Sequence, residues 1–127
     1  MIPTYVFDTG ALVSAERGKE RAARFLKLVT LGRARIVVPL PVIASFWRGR
    51  TDAREELLAA MQIVATVEIM KAAGIALARM KHVDAKLTMD AIVMATAALM
   101  GAVVVTGDAS DFEQLARHFS GVSVLAA

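Results

Sequence analysis

Short β-branched runs, set between stretches of helical period, constrain this chain more than any other feature. The clearest is Ala102 to Val105, a run of apolar residues with no polar alternation, as a strand covered on both faces requires. Thr4 to Phe7 and Arg35 to Val38 read the same way, Ile63 to Val67 is β-branched and extended, and Val122 to Leu125 makes a last short strand. Between them lie helical segments. One starts near Ala11 and is broken at Gly18, and another runs from Glu20 to Leu31 and ends at Gly32. A third has Pro41 in its first turn and reaches Gly49, and a fourth is capped by Asp52 and passes Leu57, Leu58 and Met61. Ile69 to Met80 is helical, Thr88 reads as the cap of a helix over Met89 to Met100 closed by Gly101, and Asp108 to Phe119 forms the last helix. Strands alternating with helices predict an α/β fold: a central, mostly parallel sheet with helices on both faces.

The bulk properties narrow this further. A chain of 127 residues fits one domain, and no linker or repeat suggests a boundary within 1–127. With 57% apolar and 21% charged residues it has a core to build, which excludes disorder. A net charge of +3 is compatible with a polyanionic partner without demanding one. The absence of cysteine excludes disulfides, thiolate metal sites and thiol catalysis, leaves oxygen ligands as the main route to a metal, and makes the cytoplasm the expected compartment. The first residues lack the basic and apolar regions of a signal peptide. The uncharged stretch from Ala91 to Gly107 is shorter than the roughly 20 apolar residues of a membrane span, so no membrane association is expected.

Ligands of open parallel sheets bind beyond the carboxyl ends of the strands. Asp8 directly follows the first strand, and Asp108 follows Val105 after only Thr106 and Gly107. Asp90 falls in the first turn of the helix that leads to that later strand, so it starts from the same rim. Three converging carboxylates repel one another unless a cation offsets them, and hard oxygen ligands of this kind suit Mg²⁺ or Mn²⁺. Such ions support hydrolysis of a phosphodiester without a covalent nucleophile. Each acid also has a purely structural reading: Asp8 as a turn former, Asp90 as a helix-dipole partner, and Asp108 as a cap with Asp111 in the turn it opens. Their meeting on one rim is what favours the metal.

In order and spacing the stretches FDTGALVSAERG, VVPLPVIASFWRG and MDAIVMATAALMGAVVVTGDASDFEQLA resemble the PIN domain, and in particular the VapC-type toxins of bacterial toxin–antitoxin pairs. The resemblance spans essentially the whole chain. It implies a PIN-like three-layer α/β/α fold and a metal-dependent endoribonuclease, commonly a homodimer, that cleaves RNA and is inhibited by a VapB-like antitoxin inserted in its groove. It carries Asp8, Asp90 and Asp108 onto the catalytic acids and metal ligands, Asp111 onto a further acid, and Thr106 onto a supporting hydroxyl. One position departs: Ser45 stands where such relatives usually place a glutamate, which removes an anionic ligand and puts the vigour of cleavage in doubt.

Trp47, Arg48 and Arg50, with Arg54 one turn on, form the best local candidate for contacting RNA phosphates or an antitoxin, since guanidinium groups offer forked donors. The same residues read equally as a solvated helix end with Trp47 packed beneath it. Arg17, Lys19, Arg21 and Arg24 are diluted by Glu16 and Glu20 into a solvated face, and His82 and His118 have no metal-ligand spacing. A phosphatase with an aspartyl nucleophile at Asp8 is disfavoured by Gly10, where its second acid belongs.

Overall fold

A computed structural model of the chain describes residues 1–49 and 52–127. Among these, strands β1 (Thr4–Phe7), β2 (Arg35–Pro39), β3 (Gln62–Val64), β4 (Val103–Thr106) and β5 (Val124–Ala126) form one sheet in the order β3-β2-β1-β4-β5. Every pairing is parallel, with Tyr5 opposite both Ile36 and Val103. Helices α1 (Thr9–Glu16), α2 (Glu20–Thr30), α3 (Leu40–Phe46), α4 (Asp52–Ala59), α5 (Val67–Leu77), α6 (Ala85–Met100) and α7 (Glu113–Ala116) flank the sheet in a three-layer α/β/α arrangement. From β1 the chain steps outward to β2 and β3. Helices α5 and α6 then return it across the sheet to β4, on the other side of β1. The strand order therefore switches between β1 and β4, where a doubly wound sheet opens a crevice at its carboxyl ends.

Side-chain alternation divides the core into its two layers. Tyr5 and Phe7, two residues apart on β1, both meet Phe25 of α2 edge-on, with ring centroids 4.7 and 5.8 Å apart. Val6, between them, points to the opposite layer, and both Val6 and Phe7 are wholly buried. Each such side chain contributes about 1.5–3 kcal/mol through burial. In α6 every residue from Asp90 to Ala97 is buried, because Ala91, Ala95 and Ala97 let the helix approach the sheet and α5 closely. The hydroxyl of Thr96, buried among them, donates to the Ile92 carbonyl at 2.7 Å, so no polar group is stranded there.

Several boundaries differ from the sequence reading. Asp84, not Thr88, caps α6: its carboxylate accepts from the Leu87 N–H at 2.8 Å, and the Thr88 hydroxyl donates to the Asp84 carbonyl. An aspartate satisfies the free N–H groups and adds a charge that the helix N-terminus favours. The helix is longer as a result, and Asp90 lies in its second turn rather than its first. Thr66 caps α5 in the same way at Ile69, which makes Val67 helical instead of extended. Helix α3 stops at Phe46, and Trp47 is extended. The segment from Asp108 to Phe119 is not one helix but a 3-10 turn, Ala109–Phe112, followed by the single turn of α7. Arg54 joins α4 to the ends of α1 and α3: it bonds both carboxylate oxygens of Glu16 at 2.6 and 3.1 Å, donates to the Phe46 carbonyl and lies over the Phe46 ring.

Candidate active site

Asp8 leaves β1 at the switch point and caps α1, accepting from the Ala11 N–H at 2.8 Å. Its other oxygen accepts from the hydroxyl of Thr106, the last residue of β4, and the Gly107 N–H also bonds this carboxylate. The turns after β1 and β4 press together here. A Cβ on Gly10 would stand 3.0 Å from the Cα and N of Gly107, so side chains are excluded from both positions by backbone contact. Asp8 is thereby held rigidly and is only 8% exposed.

Asp90 reaches the same place from α6. Lys86, one helical turn before it, donates to Asp90 at 3.1 Å and to Asp111, in the 3-10 turn, at 2.8 Å. Asp108 caps that turn, accepting from the Ser110 N–H and hydroxyl at 3.1 and 2.6 Å. Asp8, Asp90, Asp108 and Asp111, together with Thr106 and Ser45, line one cavity of about 760 Å³. The Thr9 hydroxyl, in the same wall, is buried without a hydrogen-bond partner.

Burial pushes Asp8 above the ordinary aspartate value, although its bonds from Thr106, Ala11 and Gly107 pull the other way. Burial raises Asp90 too, against the hydrogen bond and charge of Lys86, and the neighbouring charges of Asp8 and Asp111 add to the rise. Exposed Asp108 is lowered by its bonds from Ser110. For Lys86, burial is the largest single effect and pulls downward, but Asp111 and Asp90 together outweigh it and raise the group. The corner is thus a nest of carboxylates, two of them resisting ionisation, with one ammonium among them.

This donor set fits a hard divalent cation. Carboxylates and hydroxyls are the ligands that Mg²⁺ and Mn²⁺ prefer, a cation would offset the burial that raises Asp90 and the repulsion from Asp8 and Asp111 that adds to it, and Thr9 offers an unpartnered oxygen. The ligands are not already gathered: among the described residues no three acidic or histidine side chains form a ready metal-binding group. Lys86 holds Asp90 and Asp111, while Ser110 holds Asp108.

The remaining residues singled out in the sequence are scattered. Trp47 and Arg48 are not among those lining the cavity. Arg48 donates to the carbonyls of Ala44 and Trp47 at 3.1 and 2.7 Å and so closes the end of α3. Arg50 lies outside the described residues. Arg17 and Lys19, read as part of a solvated face, are exposed and also line the cavity. Lys86 was missed because starting α6 at Thr88 left it outside the helix. Its spacing of four from Asp90 is the signal that identifies it once the helix begins at Ala85.

Residues 5–118 match the PIN domain. The chain belongs to the PIN domain family. PIN domains are in general nucleases, typically dependent on divalent metal ions. In fold, this PIN domain is similar to a chain of the VapBC2 complex from Rickettsia felis, solved bound to a DNA fragment from its promoter. The TM-score is 0.69 at 14% identity, with 98% of each chain covered. It is also similar to PAE2754 from Pyrobaculum aerophilum, with a TM-score of 0.61 at 18% identity, covering 98% of this chain and 91% of that one. No curated protein sequence matches. Among the described residues no helix is long and apolar enough to cross a membrane.

Proposed function

We propose that this PIN domain is a Mg²⁺- or Mn²⁺-dependent endoribonuclease, the VapC-like toxin of a toxin–antitoxin pair, with Asp8, Asp90 and Asp108 as catalytic acids and metal ligands and Asp111 as a further ligand. The observation that carries this reading is the meeting of acids from β1, α6 and the turn after β4 in one cavity at the switch point. Bound there, a divalent cation supplies charge neutralisation for the phosphodiester and acidifies the attacking water. Asp8, locked by its three hydrogen bonds, is the fixed reference for the site, and Thr106 sets its orientation. Asp90 brings a carboxylate on a buried wall, and Asp108 and Asp111 come from the 3-10 turn after β4. Lys86 keeps a positive charge beside Asp90 and Asp111, where a phosphate would arrive. The partners that go with this reading are an RNA substrate, a VapB-like antitoxin and a second copy of the chain in a homodimer, within the cytoplasm.

Purified protein incubated with structured RNA and Mg²⁺ or Mn²⁺ tests it. Cleavage is expected, and it should disappear with excess EDTA or in Asp8→Asn. Cleavage that persists in either case overturns the assignment.

One observation favours a second reading, a weakened scaffold that binds antitoxin or RNA without efficient cleavage. Ser45 lines the cavity with a neutral hydroxyl, at the position where the resemblance to VapC-type PIN domains implies a glutamate. Ser45→Glu separates the two: cleavage that appears only in this variant identifies the native chain as the binding form, and robust native cleavage removes that reading.

A further inference from the structure

The acid cavity does not end at its carboxylates. Lys86, Asp90 and Asp111 also line a second cavity of about 380 Å³, and His82, Glu113 and Gln114 of that second cavity line a third of about 490 Å³. Shared walls make the three one groove, leading from the switch point past the 3-10 turn to the loop after α5 and the end of α7. Its charge reverses along the way. The far end carries Arg79, Lys81 and Arg117, all exposed and none in an ion pair among the described residues, against the single acid Glu113.

We infer that this basic end holds the phosphate backbone of the RNA strand on one side of the scissile bond. The inference rests on the endoribonuclease reading and extends it to substrate recognition. An acidic rim repels a polyanion, so a strand with one phosphate among Asp8, Asp90 and Asp108 gains affinity only where its neighbouring phosphates meet cations. Arg79, Lys81 and Arg117 meet that need on one side, at the end of the groove that continues from the acids, while Arg17 and Lys19 lie in the wall of the acid cavity itself. Apart from the two imidazoles no aromatic ring lines this end, so it contacts the backbone without stacking on bases, and its contribution does not depend on sequence. Continuity with the acid cavity, where the reaction proposed above acts on a phosphodiester, favours RNA over an acidic protein segment.

The test compares two triple variants with the native chain, both checked for an unchanged circular dichroism spectrum and melting temperature. One is Arg79→Ala/Lys81→Ala/Arg117→Ala. The other, Lys27→Ala/Arg33→Ala/Arg35→Ala, removes equal charge from α2, the turn after it and the start of β2, away from the carboxyl ends of the strands. Binding of fluorescein-labelled single-stranded RNA is followed by anisotropy in EDTA, over a range of salt concentrations. The groove variant is expected to bind about tenfold or more weakly and to flatten the plot of log K against log salt by about 2, at about 0.7 for each phosphate that is no longer neutralised. The control should weaken about threefold at most, from net charge alone. Equal weakening in the two variants overturns the inference. If the native chain cleaves RNA but the groove variant binds as it does, the inference fails alone. If the native chain neither binds nor cleaves RNA, the endoribonuclease reading fails with it.

Discussion

The hydroxyl of Thr106, at the end of β4, donates to the carboxylate of Asp8, at the end of β1. One side-chain bond thereby ties the two strands between which the sheet changes direction, and it fixes the acid on which the site is built. Thr106→Val keeps the shape and removes one of the three donors to this buried carboxylate. The expected cost is about 1–3 kcal/mol of stability, and the Asp8 carboxyl resonance in NMR should titrate at higher pH than in the native protein. Thr106→Ser should restore both. An unchanged Asp8 titration in Thr106→Val would show that the bond does not tune this acid.

Burial raises the Asp8 pKa, and the sign of the linked stability follows from that. The folded chain holds a proton here more tightly than the unfolded one, so this group costs nothing well below the ordinary value of 3.8. Its cost grows as pH rises through the folded pKa and is complete above it. Without divalent metal, Asp8→Asn should therefore melt higher than the native protein at neutral pH. An asparagine still caps α1 through its oxygen. The difference should shrink to nothing as the pH falls below about 4. A stabilisation that is independent of pH, measured by calorimetry, would rule out this origin.

Gly10 and Gly74 should respond to alanine in opposite directions. At Gly10 the new methyl would stand 3.0 Å from the backbone of Gly107, which cannot yield without parting the turns after β1 and β4. A destabilisation of about 1–3 kcal/mol is expected. At Gly74, inside α5, nothing lies within 4 Å, and alanine should add about 0.5–1 kcal/mol through backbone entropy and helix propensity. Denaturant midpoints of the two variants check both signs.

Lys86→Met removes the ammonium that Asp90 and Asp111 share at 3.1 and 2.8 Å. The two carboxylates are then without their cation, so the metal-free protein should melt lower than native. A divalent ion no longer competes with the lysine, so addition of Mn²⁺ should raise the melting temperature of Lys86→Met more than that of the native chain. Equal Mn²⁺-induced shifts would show that the lysine and the ion do not contend for the same oxygens.

Much of this architecture was legible in the sequence. The β-branched runs around Val6, Val37 and Val104 are the inner strands, and their alternation with helices leaves a parallel sheet as the economical solution. The capping pattern was harder to read. Thr88 and Asp84 both precede helical residues, and a preference for either depends on which N–H groups its side chain can reach. The break between the 3-10 turn and α7 likewise reflects the burial of Phe112, Leu115 and Phe119 together, which no local propensity encodes.

What the sequence determined by itself is the polarity of the sheet, and with it the rim to which Asp8 and Asp108 belong. Once helices connect the strands, every strand runs the same way, and a residue just after one of them lies at the carboxyl edge. Which side chains meet at that edge was decided by tertiary structure alone. Lys86 reaches Asp111 only because α6 starts a turn earlier than expected. Thr106 reaches Asp8 only because β4 pairs with β1, and Arg79 and Arg117 line one cavity although they are far apart in the chain. Hydrogen bonds and charge interactions act over a few ångströms, so they depend on how separate elements pack, which local sequence pattern does not contain.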